Sequence, residues 1–227
     1  MITRGDVWAA LSEVRDPELD RPITDLGFVA AVTIGDRIRV ELRLPTYFCA
    51  PNFAWLMVAD ARDAVAALPG AGRPDVVLLE HFVSAEINEG VAAVSDFGAS
   101  FDADGFDPDL ASLRAVFERK AHLAAQERLA RALRAAGVPA DLLPTVRLSE
   151  AAALAREAAE AVARRRERAG IRSELAFCDD EGRTLTAATM PGWLRFAQTV
   201  RVSIDGNAGF CRGLLETRYG LARAAPT

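Results

Sequence analysis

Two alternating apolar runs on either side of a glycine constrain this chain's fold more than any other stretch. Phe28, Ala30, Val32 and Ile34 recur at every second position, Gly35-Asp36 follows, and Ile38, Val40, Leu42 and Leu44 resume the alternation. A period of two places one set of side chains on one face of a sheet. The segment therefore reads as a β-hairpin, with Gly35 able to take the positive φ of a type II′ turn. Pro45 cannot donate to a strand ladder and ends the second strand.

Helical patterns flank the hairpin. Thr3 and Asp6 read as an N-cap with an acidic first turn, and Val7, Trp8, Leu11 and Val14 follow as the apolar face of a short helix that Asp16-Pro17 ends. Trp8 is expected in the core. After the hairpin, Pro51 suits the first helical position, and Phe53, Leu56, Met57, Ala61, Val65 and Leu68 keep helical spacing up to the stop at Pro69-Gly70. Val76-Val77-Leu78-Leu79, within 75–80, reads as a buried strand. The expected fold class is α/β (α+β), a small α-β-β-α-β domain with a mainly helical C-terminal extension.

The expected divisions are an α/β domain over 1–94, a linker over 95–107 rich in Asp, Gly, Phe and Ser, and a mainly helical region with a small β element over 108–227. Asp107-Pro108 reads as a helix start, and the spacing predicts helices over 110–136 and 149–169. The basic run Arg164-Arg165-Arg166-Glu167-Arg168 complements the helix macrodipole as a solvated helix end, or else forms a docking patch for an acidic partner. Further on, Leu175, Phe177 and Leu185 alternate around a turn at Asp179-Asp180-Glu181-Gly182. Residues 199–204 read as a strand, Asp205-Gly206-Asn207 as a cap and 210–219 as a final helix.

Composition narrows the function classes. The 227 residues are 51% apolar, enough for a substantial core, while a net charge of −5 and 7% aromatics argue against a nucleic-acid or anionic-membrane surface. No apolar run reaches the length of a bilayer span, and Met1 to Asp6 lack an apolar signal core, so a cytoplasmic location is expected. Three widely spaced cysteines, Cys49, Cys178 and Cys211, read as reduced thiols and not as a disulfide framework.

Cys49 precedes a proline-started helix, where backbone N–H groups and the dipole favour a thiolate fit for a soft metal or an iron–sulfur cluster. The other reading is a small buried hydrophobe. Asp16 and Asp25, at a turn and a strand entrance, read on their own as caps of backbone donors. His81, with Glu86 and Glu89, could supply nitrogen and oxygen ligands after the last strand; a hydrogen-bonded structural histidine is the alternative. Cys178 and Cys211 either fold back beside Cys49 as a three-thiolate site or are unrelated thiols. His122 also lies in this later region. A thiol-dependent enzyme is disfavoured, because neither His81 nor His122 forms a recognisable pairing with a cysteine in sequence.

The order Asp16-Pro17-Glu18, then Asp25-Leu26-Gly27-Phe28-Val29, then a hairpin ending in Thr46-Tyr47-Phe48-Cys49, resembles the metal–sulfur cluster assembly factor family. This is the SufT and PaaD type, with its cytosolic iron–sulfur assembly domain, and the likeness covers about residues 5–83. The resemblance implies a non-enzymatic accessory factor for assembling an iron–sulfur or diiron centre in a client metalloenzyme subunit, such as a multicomponent oxygenase. It implies Cys49 as the cluster or metal thiolate, a functional loop of Asp16, Glu18, Asp25 and Thr46, and a homodimer. No tightly bound cofactor is expected, only a transient iron–sulfur cluster or iron. Where the family has Pro and a small residue before the cysteine and Pro directly after it, this chain has Tyr47-Phe48 and Ala50. That loop suits a particular client, and a client-specific folding chaperone that handles no metal is the alternative reading.

Overall fold

The computed structural model describes residues 1–101 and 109–220. The chain packs as two compact units, Met1–Ala111 with Gly206–Thr227, and Ser112–Asp205. Residues 206–220 thus join the first unit, unlike the serial arrangement expected.

In the first unit, α1 (Arg4–Ser12) starts with the capping box read from Thr3 and Asp6: the Asp6 N–H donates to Thr3 Oγ1 at 3.2 Å and the Thr3 N–H to Asp6 Oδ2 at 2.8 Å. Val7 and Leu11 are fully buried, but Trp8 is 40% exposed. Adjacent helical positions point about 100° apart, so Trp8 cannot share the inward line of Val7 and Leu11. The helix stops at Ser12, before Asp16-Pro17, because the chain then enters a small antiparallel ribbon absent from the sequence reading. Its strands are β1 (Arg15–Asp16) and β2 (Arg21–Pro22).

The hairpin forms from β3 (Val29–Ile34) and β4 (Ile38–Arg43), with two departures from the expected pattern. Ile34 pairs with Ile38, so the connection has three residues, and Gly35 has no positive φ. A register shift between Val29 and Ala31 inserts one extra residue, so Val29 and Val32, three apart, are both buried, while Ile34, at the end of the strand beside the turn, is exposed. α2 (Pro51–Ala66) crosses over to β5 (Asp75–Leu79), which lies parallel to β4 in a sheet of order β3-β4-β5. Ala54, Met57, Val58, Ala61 and Val65 of α2 join the sheet's inward residues in one core.

Two helices absent from the sequence reading follow, α3 (Ser84–Ala93) and α4 (Phe97–Ser100). Phe97 and Phe101 are buried edge-on against Trp55, with ring centroids 5.6 and 6.1 Å away, so the expected linker begins as core instead. Large apolar side chains outweigh the Gly- and Ser-rich composition there. Residues 102–107 of that linker, and the Asp107-Pro108 helix start, lie outside the described residues.

The second unit is helical: α5 (Leu110–Ala135), α6 (Leu148–Leu154), α7 (Arg156–Arg168) and the first part of α8 (Met190–Tyr219). The single helix expected over 149–169 breaks at Ala155, whose φ of −145° and ψ of 62° are not helical. Leu129, Leu133, Leu143, Val162 and Phe177 fill the core of this unit. The expected β element is reduced to two isolated bridges, Arg147 with Leu175 and Cys178 with Thr184.

The basic run also departs from a simple solvated end. Arg166 is buried and donates to the carbonyls of Ser173 (2.9 Å), Leu175 (2.8 Å) and Ala176 (3.2 Å), anchoring the irregular segment after α7. The strand expected over 199–204 is instead helix, continuous through Gly206. Met190, Ala197, Ile204, Ala208 and Leu215 are the buried positions, spaced by seven, seven, four and seven, which is a helical period. Its β-branched residues mimicked a strand because Val200, Val202 and Ile204 also alternate, yet Val202 is exposed.

Candidate functional site

The first unit contains a pocket of about 120 Å³, space for several water molecules. Asp16, Glu18, Cys49 and Cys211 give it polar atoms, and Phe28, Leu44, Phe53 and Met57 are among its apolar walls.

Each polar group is positioned by its local fold. Asp16 ends β1, and its Oδ1 accepts the Leu19 N–H at 2.8 Å within the tight turn that Pro17 starts. Burial pushes its carboxyl up to about 6, with the nearby Glu18 charge adding to the rise, while the backbone hydrogen bonds oppose it. Glu18 Oε1 accepts from Asn207 Nδ2 of α8 at 3.3 Å.

Cys49 sits in the loop between β4 and α2. Its Sγ lies 3.2 Å from Thr46 Oγ1, and its carbonyl is 2.7 Å from His81 Nε2. Burial, the largest influence on His81, pulls its pKa down, and Arg218 acts in the same direction, whereas the hydrogen bond to the Cys49 carbonyl raises it. The neutral ring with Nε2–H donating to Cys49 leaves Nδ1 to accept the Val83 N–H at 3.4 Å. His81 is thus a backbone clamp on the cysteine loop, with both ring nitrogens engaged. Glu86 and Glu89 are exposed on α3.

Cys211 reaches the pocket from the second half of α8. Ala208 and Leu215, one turn to either side, are buried in the first unit's core. Arg218 donates to the carbonyls of Leu44 (3.2 Å) and Glu80 (2.9 Å). Burial pushes the Cys211 thiol up to about 11, and the charges of Asp16, Cys49 and Glu18 reinforce the shift. The pocket therefore opposes an additional bare negative charge.

The sequence-predicted residues divide accordingly. Asp16, Glu18, Cys49 and Cys211 line one pocket, and Thr46 touches the Cys49 sulfur. Asp25 is exposed in a turn and is not part of the lining. Cys178 belongs to the second unit, fully buried, with its N–H donating to Gln126 Oε1 at 2.9 Å. His122 is buried in the same unit, and desolvation, then the charges of Arg166 and Arg165, pull it down to about 4. Among the described residues, no group of three or more His, Cys, Asp or Glu is placed to hold a metal ion. Cys49, Cys178 and Cys211 are all free thiols.

The sequence reading did not name the Cys49 carbonyl as the partner of a structural His81, nor did it extend the final helix, which carries Cys211, back through Gly206. The second had a signal: Ala208, Cys211 and Leu215 keep spacings of three and four, once the helix is read through Gly206.

A family model described as iron–sulfur cluster assembly protein matches residues 4–76, which span α1 to β5 and include Asp16, Glu18 and Cys49. An uncharacterized protein of Methanocaldococcus jannaschii is 34% identical over 91 residues, covering 39% of this chain and 94% of that relative. No solved structure matches. Among the described residues no helix is long and apolar enough to cross a membrane. With the DPE turn and the cysteine loop both inside the matched region, and nearly all of that relative aligned, the chain belongs to the iron–sulfur cluster assembly protein family.

Proposed function

We propose that this protein is a non-enzymatic accessory factor that helps assemble an iron–sulfur or diiron centre in a client metalloenzyme subunit, with a multicomponent oxygenase as the client class. Family membership supports a role in cluster assembly. The observation that carries the reading to this chain's own residues is the meeting of Cys49 and Asp16 in one pocket. The cluster or iron is cargo: a thiol held by Thr46 and the His81 clamp presents a sulfur ligand, and the nearby carboxylates favour positive charge.

Cys49→Ala tests this. The client is captured anaerobically from cells making either the wild-type or the variant, and its iron and sulfide content are measured. Loss of most client iron with the complex still formed is expected. Unchanged iron loading would overturn metal handling through this thiol.

A second reading has its own support. Tyr47 and Phe48, 57% and 73% exposed, immediately precede Cys49, and Tyr47 lies 5.9 Å from the ring of the partly exposed Phe82. Such a patch suits a client-specific folding chaperone that handles no metal. Tyr47→Ser with Phe48→Ser would then abolish client capture while Cys49→Ala left client iron unchanged.

A further inference from the structure

The matched family region ends at residue 76, yet one wall of its pocket comes from residues after 205. Asn207 bonds Glu18, Cys211 faces the cavity, Leu215 enters the core, and Arg218 ties down the carbonyls of Leu44 and Glu80. These four contacts, spread over three turns, fix the rotation of the helix and with it the direction of Cys211. Cys49 is held just as firmly from the opposite end of the sequence, through its carbonyl and its sulfur. Neither thiol is in a disulfide, and the two are electrostatic neighbours.

We propose that Cys49 and Cys211 form a two-thiolate ligand pair for a soft or borderline metal ion, so that the second half of α8 completes the site begun by the family domain. Thiolates are the ligands such ions prefer. Each thiol gives its proton to solvent as its sulfur–metal bond forms, with no change of oxidation state. Among the described residues the lining includes the carboxylates of Asp16 and Glu18 and no lysine or arginine, so a bound cation relieves the crowding of negative charge. Asp16 is committed to the Leu19 N–H and acts through its field.

The pair stops at two. With no third protein ligand grouped among the described residues, the remaining coordination positions go to exogenous ligands such as a donor's or client's thiolates. A half-filled shell suits an ion in transit better than one in storage. The proposal rests on the assembly reading above and extends it to a residue outside the family domain.

The test uses the full chain, reduced and anaerobic, titrated with Co²⁺, whose thiolate-to-metal charge-transfer absorption reports sulfur ligation. The wild-type is expected to show the band. Cys49→Ser and Cys211→Ser should each retain roughly half its intensity and bind more weakly, because each removes one of two sulfurs. Cys178→Ser should match the wild-type. Cys211→Ala, with circular dichroism on every variant, guards against loss of the fold being read as loss of a ligand. A wild-type without the band, or a folded Cys211→Ser with undiminished band and affinity, overturns the pair. The two readings fail separately: undiminished cobalt ligation in Cys211→Ser alongside lost client iron in Cys49→Ala removes only the pair. Sulfur ligation by both thiols with unchanged client iron removes only the assembly role.

Discussion

A carboxyl group taken out of water beside another carboxylate is harder to ionise, and Asp16 combines both conditions in a turn of the family motif. Its acidity moves from 3.8 in the unfolded chain to about 6 in the fold. The folded state therefore binds more protons between these values, and stability falls as pH rises from the lower to the higher, by up to about 3 kcal/mol. Asp16→Asn keeps an acceptor for the Leu19 N–H and removes the titration. Urea unfolding at about pH 4 and about pH 7 should show the difference between the two pH values shrink in the variant, chiefly through greater stability at neutral pH. An unchanged pH dependence would assign the effect to other groups. Asp16 was legible in sequence as a turn residue, but its burial was not. That depends on walls from α2 and α8, far away in the chain.

At the scale of elements, local rules read well where side-chain period and end signals agreed. α1 has its Thr3–Asp6 cap, α2 starts at Pro51, and β4 places Ile38, Val40 and Leu42 inward. They failed where packing overrode composition. The bulge at Val29 to Ala31 changes which residues of β3 face the core, and no turn residue announces it. Val200, Val202 and Ile204 keep the period of a strand, and only the long run of buried positions on α8 selects the helical one. Close contact between α3 and α2 has the same origin. Gly90 of α3 leaves room for the Trp55 ring, and a Cβ there would collide with Trp55 and Ser100. Gly90→Ala should therefore destabilise the protein by about 1–3 kcal/mol despite alanine's better helix propensity, since both obstacles sit in or against packed structure. Thermal unfolding checks this, and a gain in stability would show that the ring can move aside.

For the molecule as a whole, two hydrophobic clusters with no residue in common give two cores. Arg166 serves the second alone, satisfying three carbonyls of the segment after α7. Arg166→Met removes those donors and leaves buried acceptors unpaired, an expected loss of about 3 kcal/mol or more. Calorimetry should show the loss in the transition of the helical unit, with the Cys49 pocket intact as judged by cobalt binding. Equal loss of both would make the two cores a single cooperative system. One feature of α8 also bears on how the protein comes to exist. Synthesis proceeds at about 5–20 residues per second, and Cys211 follows Cys49 by roughly 160 residues, so for some 8–30 seconds the nascent family domain lacks its α8 wall. The pocket reaches its final form only after the second half of α8 leaves the ribosome, and until then no growing chain can offer both thiols to a metal.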